Sequence, residues 1–163
     1  MTAKDAIKHT LNSNYFMLKQ YLSDLSDADL LVRPAPNANH AAWQLGHLIS
    51  AEVQLLGMIR GATPAALPAG FAERHSKDAA RSESTAGFLK KQEYLDLFDK
   101  VRAATLASLD KQSDADLDTT TEGRMKDFAP NYGAVFLLLA NHTMMHGGQF
   151  TVVRRTLGKP ILF

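Results

Sequence analysis

Four stretches of this chain are free of proline and repeat their apolar residues at steps of three and four. That period limits the fold more than any other feature of the sequence. The first stretch carries Ile7, Leu11, Tyr15, Leu18, Leu22 and Leu25 along one line, the stripe of an amphipathic helix rather than the alternation of a strand. It predicts a helix near residues 3 to 22. The second is apolar at Trp43, Leu48, Val53, Leu55, Leu56 and Ile59 and predicts a helix from Ala41 to about Arg60, capped by Asn37 or Asn39. A third runs from about Phe88 to Lys111 through Tyr94, Leu95, Phe98, Val101, Leu106 and Leu109. The fourth, the most apolar, spans Asn131 to about Leu157. With no convincing run of alternating β-formers to compete, the expected fold class is all-α, a four-helix bundle.

Proline, glycine and small polar residues collect between these stretches. Residues 23 to 39, with Pro34 and Pro36, read as a connector. From Gly61 to Gly87, Pro64, Pro68 and Gly70 break any long helix, which leaves a connector of about 27 residues, long for a compact domain. Its lack of core periodicity predicts that Ser76 to Ser84 tolerate change better than any helix. Two short words recur: Ser26-Asp27-Ala28-Asp29-Leu30 as Ser113-Asp114-Ala115-Asp116-Leu117, and Ala35-Pro36-Asn37 as Ala129-Pro130-Asn131. Each pair precedes a histidine-bearing helix, which is compatible with a two-hairpin plan. At 163 residues the chain is expected to form a single domain over 1–163.

Composition removes several function classes. Eighteen Lys plus Arg stand against seventeen Asp plus Glu, a net charge of +1, and no basic cluster exceeds two residues, so no nucleic-acid partner is expected. Gly133 to Ala140, the longest apolar run, falls below half of the roughly 20 residues that span a bilayer, so no membrane partner is expected either. The N-terminal residues lack the apolar core of a signal peptide, which makes the cytoplasm the expected compartment. Cysteine is absent, which excludes disulfides, thiolate metal sites and a cysteine nucleophile.

The chemistry therefore falls to six histidines. His142 and His146 stand four apart on the fourth helix, so both rings project from one face and can clamp one ion. Thr143 follows His142 where a zincin protease has glutamate, which excludes that class. Such a pair needs a third ligand. His47, a turn beyond Trp43 in an apolar segment, is the best candidate; otherwise it is a core histidine bonded to a carbonyl. His40 shares its helix face and comes next, while His9 and His75 read as surface and loop residues. Gln149, Arg154, Arg155, Glu52, Asp127 and Tyr132 are candidate helpers, each with an ordinary structural alternative. No Ser, Lys or carboxylate motif supplies a protein nucleophile.

Trp43-Gln44-Leu45-Gly46-His47, preceded by Arg33-Pro34-Ala35-Pro36-Asn37, and His142-Thr143-Met144-Met145-His146-Gly147-Gly148-Gln149, followed by Arg154 and Gly158-Lys159-Pro160, resemble the DinB/YfiT-like family in order across nearly the whole chain. The resemblance implies an up-down-down-up bundle with the long crossover between the second and third helices. From the sequence alone the topology stays open, since the Ala-Pro-Asn echo fits parallel second and fourth helices. It also implies a divalent metal on His47, His142 and His146, with zinc, nickel or iron suited to imidazole ligands. Three ligands leave a position for water or substrate. The family's members include thiol-dependent transferases and isomerases and metal-dependent hydrolases. The expectation is thus an enzyme that activates a low-molecular-weight thiol or water against a small electrophilic substrate. The alternative is a non-catalytic metal-binding or stress-related bundle. Large apolar residues on several sides of the first and third helices (Tyr15, Phe16, Tyr94, Leu97, Phe98), together with the resemblance, predict a homodimer.

Overall fold

The computed structural model describes residues 1–82 and 84–163, and among them the regular structure is helical, with one isolated antiparallel bridge pairing Thr120 and Asn131. Four long helices, α1 (Ala3–Leu22), α2 (Ala41–Leu56), α4 (Lys91–Lys111) and α6 (Tyr132–Thr156), are joined by segments that include two one-turn helices, α3 (Phe71–Arg74) and α5 (Asp114–Leu117). Helix starts follow local hydrogen bonding. Thr2 and Asp5 exchange side chain and backbone at the start of α1, and Asn131 accepts from the Ala134 N–H at 2.9 Å at the start of α6. The cap of α2 is neither Asn37 nor Asn39 but His40, whose Nδ1 accepts from the Trp43 N–H at 3.1 Å. Asn37 instead takes a left-handed turn at φ 64°.

That difference divides the two sequence echoes. Ser26 with Asp29, and Ser113 with Asp116, form the same reciprocal backbone and side-chain pair at 2.8–3.2 Å, so the first echo is one capping device used twice. In the second echo only Asn131 caps. Two helix ends also shift: α2 closes at Leu56, although Ile59 remains buried beyond it, and α4 opens at Lys91, where the Glu93 carboxylate folds back onto the Lys90 N–H at 2.8 Å.

Contacts between helices have a consistent register. Along α1 and α6 they advance together: Asn14 Nδ2 donates to the Ala140 carbonyl at 2.9 Å and Arg154 to that of Tyr21 at 2.9 Å. Along α1 and α4 they run oppositely, from Lys8 with Asp110 at 3.0 Å to Lys19 with Asp99 at 3.4 Å. The apolar interior falls into two clusters. One gathers Leu18, Leu22, Leu45, Ile49, Tyr94, Phe98 and Phe150; the other gathers Ile7, Leu11, Leu56, Leu109, Val135 and Phe136.

Between the clusters lies a polar layer. Arg102 on α4, 3% exposed, donates from Nη2 to Glu52 Oε2 on α2 at 2.8 Å and to Thr143 Oγ1 on α6 at 3.1 Å, and from Nη1 to the Leu11 carbonyl on α1 at 2.8 Å. Thr105 donates to the second Glu52 oxygen at 2.7 Å. Burial pushes the Glu52 carboxyl up, against the downward pull of Arg102 and Thr105.

The long connector is packed rather than free. Phe71 and His75 are buried in it, Trp43 Nε1 donates to the Ser76 carbonyl at 3.2 Å, and Arg33 donates to the carbonyls of Ala80 and Ser82 at 3.1 and 2.7 Å. The stretch from Ser76 to Ser82 is thus fastened at both ends through its backbone, while its side chains are exposed or half-buried; Glu83, within the stretch expected to tolerate change, lies outside the described residues. His75 fits because position 46 is glycine: a Cβ there would sit 2.0 Å from the His75 ring. Nor do the aromatic residues of α1 and α4 form an exposed face. Tyr15 is buried against Phe98 with ring centroids 4.6 Å apart, and Tyr94 is buried, leaving Phe16 at 56% exposure.

Gly46→Ala should destabilise the fold by about 1–3 kcal/mol through overpacking, despite better helix propensity. Gly148→Ala, with nothing within 4 Å, should stabilise it by about 0.5–1 kcal/mol; urea titrations check both. Arg102→Met leaves Glu52 buried without its partner and should cost about 3–5 kcal/mol, most of it recovered when Glu52→Leu is added. A double variant as unstable as the single one would show that the pair itself is required. His40 is held at about 4 by burial first and then by the Arg33 charge, against an ordinary value of 6.5. Above pH 6.5 it is neutral folded or unfolded; between 6.5 and 4 only the unfolded chain takes up the proton. Stability of the metal-free protein should therefore fall across that window, by roughly 3 kcal/mol from His40 alone, and a flat profile from pH 7 to 4.5 would contradict the burial.

Candidate metal centre

Helix α2 supplies His47 and helix α6 supplies His142 and His146, and one ligand nitrogen from each lies within 4.8 Å of the others. Ring centroids are 4.9 Å apart for His142 and His146, 5.1 Å for His47 and His142, and 5.4 Å for His47 and His146. Four residues of α-helix set the first spacing, and the packing of α2 on α6 brings in the third ring. His146 is buried, and the other two are partly open to solvent.

Each ring is positioned by neighbours. His146 Nδ1 donates to Gln44 Oε1 at 2.9 Å, while the Gln44 amide nitrogen donates to the Asn39 carbonyl at 2.8 Å. The carbonyl fixes the amide orientation, the amide oxygen fixes the imidazole tautomer, and Nε2 of His146 keeps its lone pair. His47 stacks on Trp43 with centroids 4.9 Å apart and planes 6° from parallel. All three rings are held in the neutral form. Burial, then the charges of His142 and His47, lower His146 to about 3; burial, His47 and Lys77 lower His142 to about 4; burial and Lys77 lower His47, against an opposing hydrogen bond with the His75 backbone. Three neutral imidazoles with available lone pairs fit a divalent cation of the zinc, nickel or iron type.

The other histidines are accounted for elsewhere. His9 is exposed on α1 and His40 caps α2. His75 is not a free loop residue: its Nδ1 donates to the Phe71 carbonyl and its Nε2 accepts from the Tyr94 hydroxyl, both at 2.7 Å. Of the expected helpers, Glu52 belongs to the polar layer. Tyr132 lies ten residues before His142, about 15 Å along the helix, and Asp127 precedes it in the preceding turn. Arg154 is buried and binds the Asp24 carboxylate and the Tyr21 and Pro160 carbonyls, which makes it a tie between α1 and the C-terminal segment. Arg155 and Gln149 are exposed.

A cleft of about 470 Å³ opens beside His47, walled by α2 at Ser50, Ala51, Val53 and Gln54 and by the connector at Leu67, Ala72 and His75 to Lys77. The sequence pattern did not reveal this wall. Its one signal was Gly46, whose missing side chain admits the His75 ring.

A family model described as the DinB superfamily matches residues 10–150. No curated protein matches the chain. Among solved structures, that of a conserved protein from Enterococcus faecalis is similar in fold, with a TM-score of 0.77 at 18% sequence identity, covering 98% of this chain and 99% of the other. The family match over most of the chain, which includes His47, His142 and His146, establishes that this chain belongs to the DinB superfamily.

Proposed function

We propose that the protein is a metal-dependent enzyme in which His47, His142 and His146 hold one divalent cation, and in which a low-molecular-weight thiol or water attacks a small electrophilic substrate. The observation that carries this reading is a convergent set of three neutral imidazoles with a cleft at its side, the arrangement of an open rather than a closed metal site. A cation bound there supplies one thing, a lowered pKa for a thiol or water at its free position. The chain's own residues do the rest. Gln44 holds His146 in one tautomer, Trp43 fixes the plane of His47, and the connector limits access of bulk solvent from one side. No histidine, aspartate or glutamate beyond the three joins the cluster among the described residues, which supports a position open to water or substrate.

The same reading takes the four long helices as an up-down-down-up bundle forming one domain. The parallel register of α1 with α6 and the opposite register of α1 with α4 support it. No helix among the described residues is long and apolar enough to cross a membrane. A homodimer remains part of the proposal mainly on family resemblance, since of the aromatic residues first invoked for it Tyr15, Tyr94 and Phe98 are buried and Phe16 is exposed.

His142→Ala and His146→Ala should each reduce zinc retained after dialysis from about one per chain to below about a tenth, while His9→Ala, at an exposed position, leaves it unchanged. Elemental analysis of the purified proteins checks this, and full zinc retention in both α6 variants would remove the site.

A further inference from the structure

The cleft beside His47 has an unusual balance of groups. Its walls are mainly apolar, formed by Ala51, Val53, Leu67 and Ala72. Two features break that surface. Ser50 Oγ is buried and has no hydrogen-bond partner, one of two such side-chain atoms among the described residues, the other being Arg102 Nε in the polar layer. A hydroxyl left without a partner costs about 1–3 kcal/mol, so its place on a cleft wall points to a ligand that supplies the missing bond. Lys77, an exposed residue, is the second feature and the one Lys or Arg among the described residues that line the cleft. Among the described residues no carboxylate lies within ion-pair distance of it. Lys77 lines the same cleft as His47.

The charge near the cleft is therefore one-sided. Glu52, the buried carboxylate of the same helix as His47, is committed to Arg102 and Thr105. A divalent cation on the triad would add to the charge of Lys77 with no carboxylate ligand to offset it. Such a cleft favours an anion and disfavours a cation. One ammonium and one hydroxyl complement a monoanion; a phosphate dianion would call for several donors or a guanidinium fork.

We propose that this cleft is the substrate site and that it selects small carboxylates with an apolar body, the carboxylate paired with Lys77, the body against Ala51, Val53 and Leu67, and a polar atom of the ligand bonded to Ser50. The inference rests on the open metal centre proposed above and names the class of molecule presented to it. Lys77 acts as a specificity residue; it takes no part in holding the metal.

Binding of hexanoate, hexan-1-ol and hexylamine to the zinc-loaded full chain, followed by NMR shifts or calorimetry, tests the proposal. Hexanoate should bind several-fold more tightly than hexanol, with hexylamine weakest. Lys77→Gln should weaken hexanoate by about 3–10-fold, leave hexanol unchanged and leave zinc content unchanged. Ala72→Trp, a substitution at an exposed position on the cleft wall, should block hexanoate and hexanol alike. The Lys77 effect should persist in the metal-free protein, which separates it from the metal reading: loss of zinc retention would sink the metal centre, whereas this measurement stands without it. Equal affinity for hexanoate and hexanol would overturn the proposal. So would hexanoate binding that disappears with the metal and ignores Lys77→Gln, because the carboxylate would then sit on the ion alone.

Discussion

One guanidinium holds the four long helices in register. Arg102 reaches a carboxylate on α2, a hydroxyl on α6 and a carbonyl on α1 from its place on α4, so each long helix contributes to one buried polar layer. Apolar packing alone is permissive about sliding, since leucine against leucine is nearly as good one turn along. A desolvated charge is not, because every displaced helix would leave a donor or acceptor unsatisfied at a cost comparable to a lost hydrogen bond. The layer divides the interior into two apolar clusters and fixes how they stack.

The candidate centre inherits that register. Thr143, which accepts from Arg102, lies between His142 and His146 on the same turns of α6. On α2, Glu52 follows His47 by five residues. The helices that present the three rings are thus tied together little more than one turn from the ligands, and the side chains that finish the geometry, Gln44 and Trp43, lie on α2 itself.

Much of this was legible in the sequence, and the boundary of what was legible has physical causes. Period and proline placement located the four long helices, because burial of one stripe is a local pattern. The i, i+4 spacing of His142 and His146 was likewise local, and His47 stood out as a histidine in an apolar segment, with the family resemblance joining it to the pair. What escaped depends on contacts distant in the chain. Glu52 stood as a candidate helper, and nothing local in the sequence pairs it with Arg102. His75, beside Arg74 in a glycine- and proline-rich connector, reads as a loop residue, yet it fills the space left by Gly46. Asn37 and Asn131 share a three-residue word but not a role, since the turn after Asn37 gives the cap to His40. Arg154 stood as a candidate helper and proved to be an internal tie.

The connector between α2 and α4 is half of the cleft, and it is attached differently from the other half. One wall is helix, set by the bundle; the other is a strip of chain fastened by the Trp43 and Arg33 hydrogen bonds and by the His75 ring seated on Gly46. Exposed positions of that strip, such as Ala72, Glu73, Asp78 and Arg81, can change in kind without disturbing a metal ligand or a core contact. Surface loops accept such variation at small thermodynamic cost. The scaffold thereby separates two problems that most active sites solve together: it can keep one set of imidazoles rigid while the opposite wall is rewritten for another molecule.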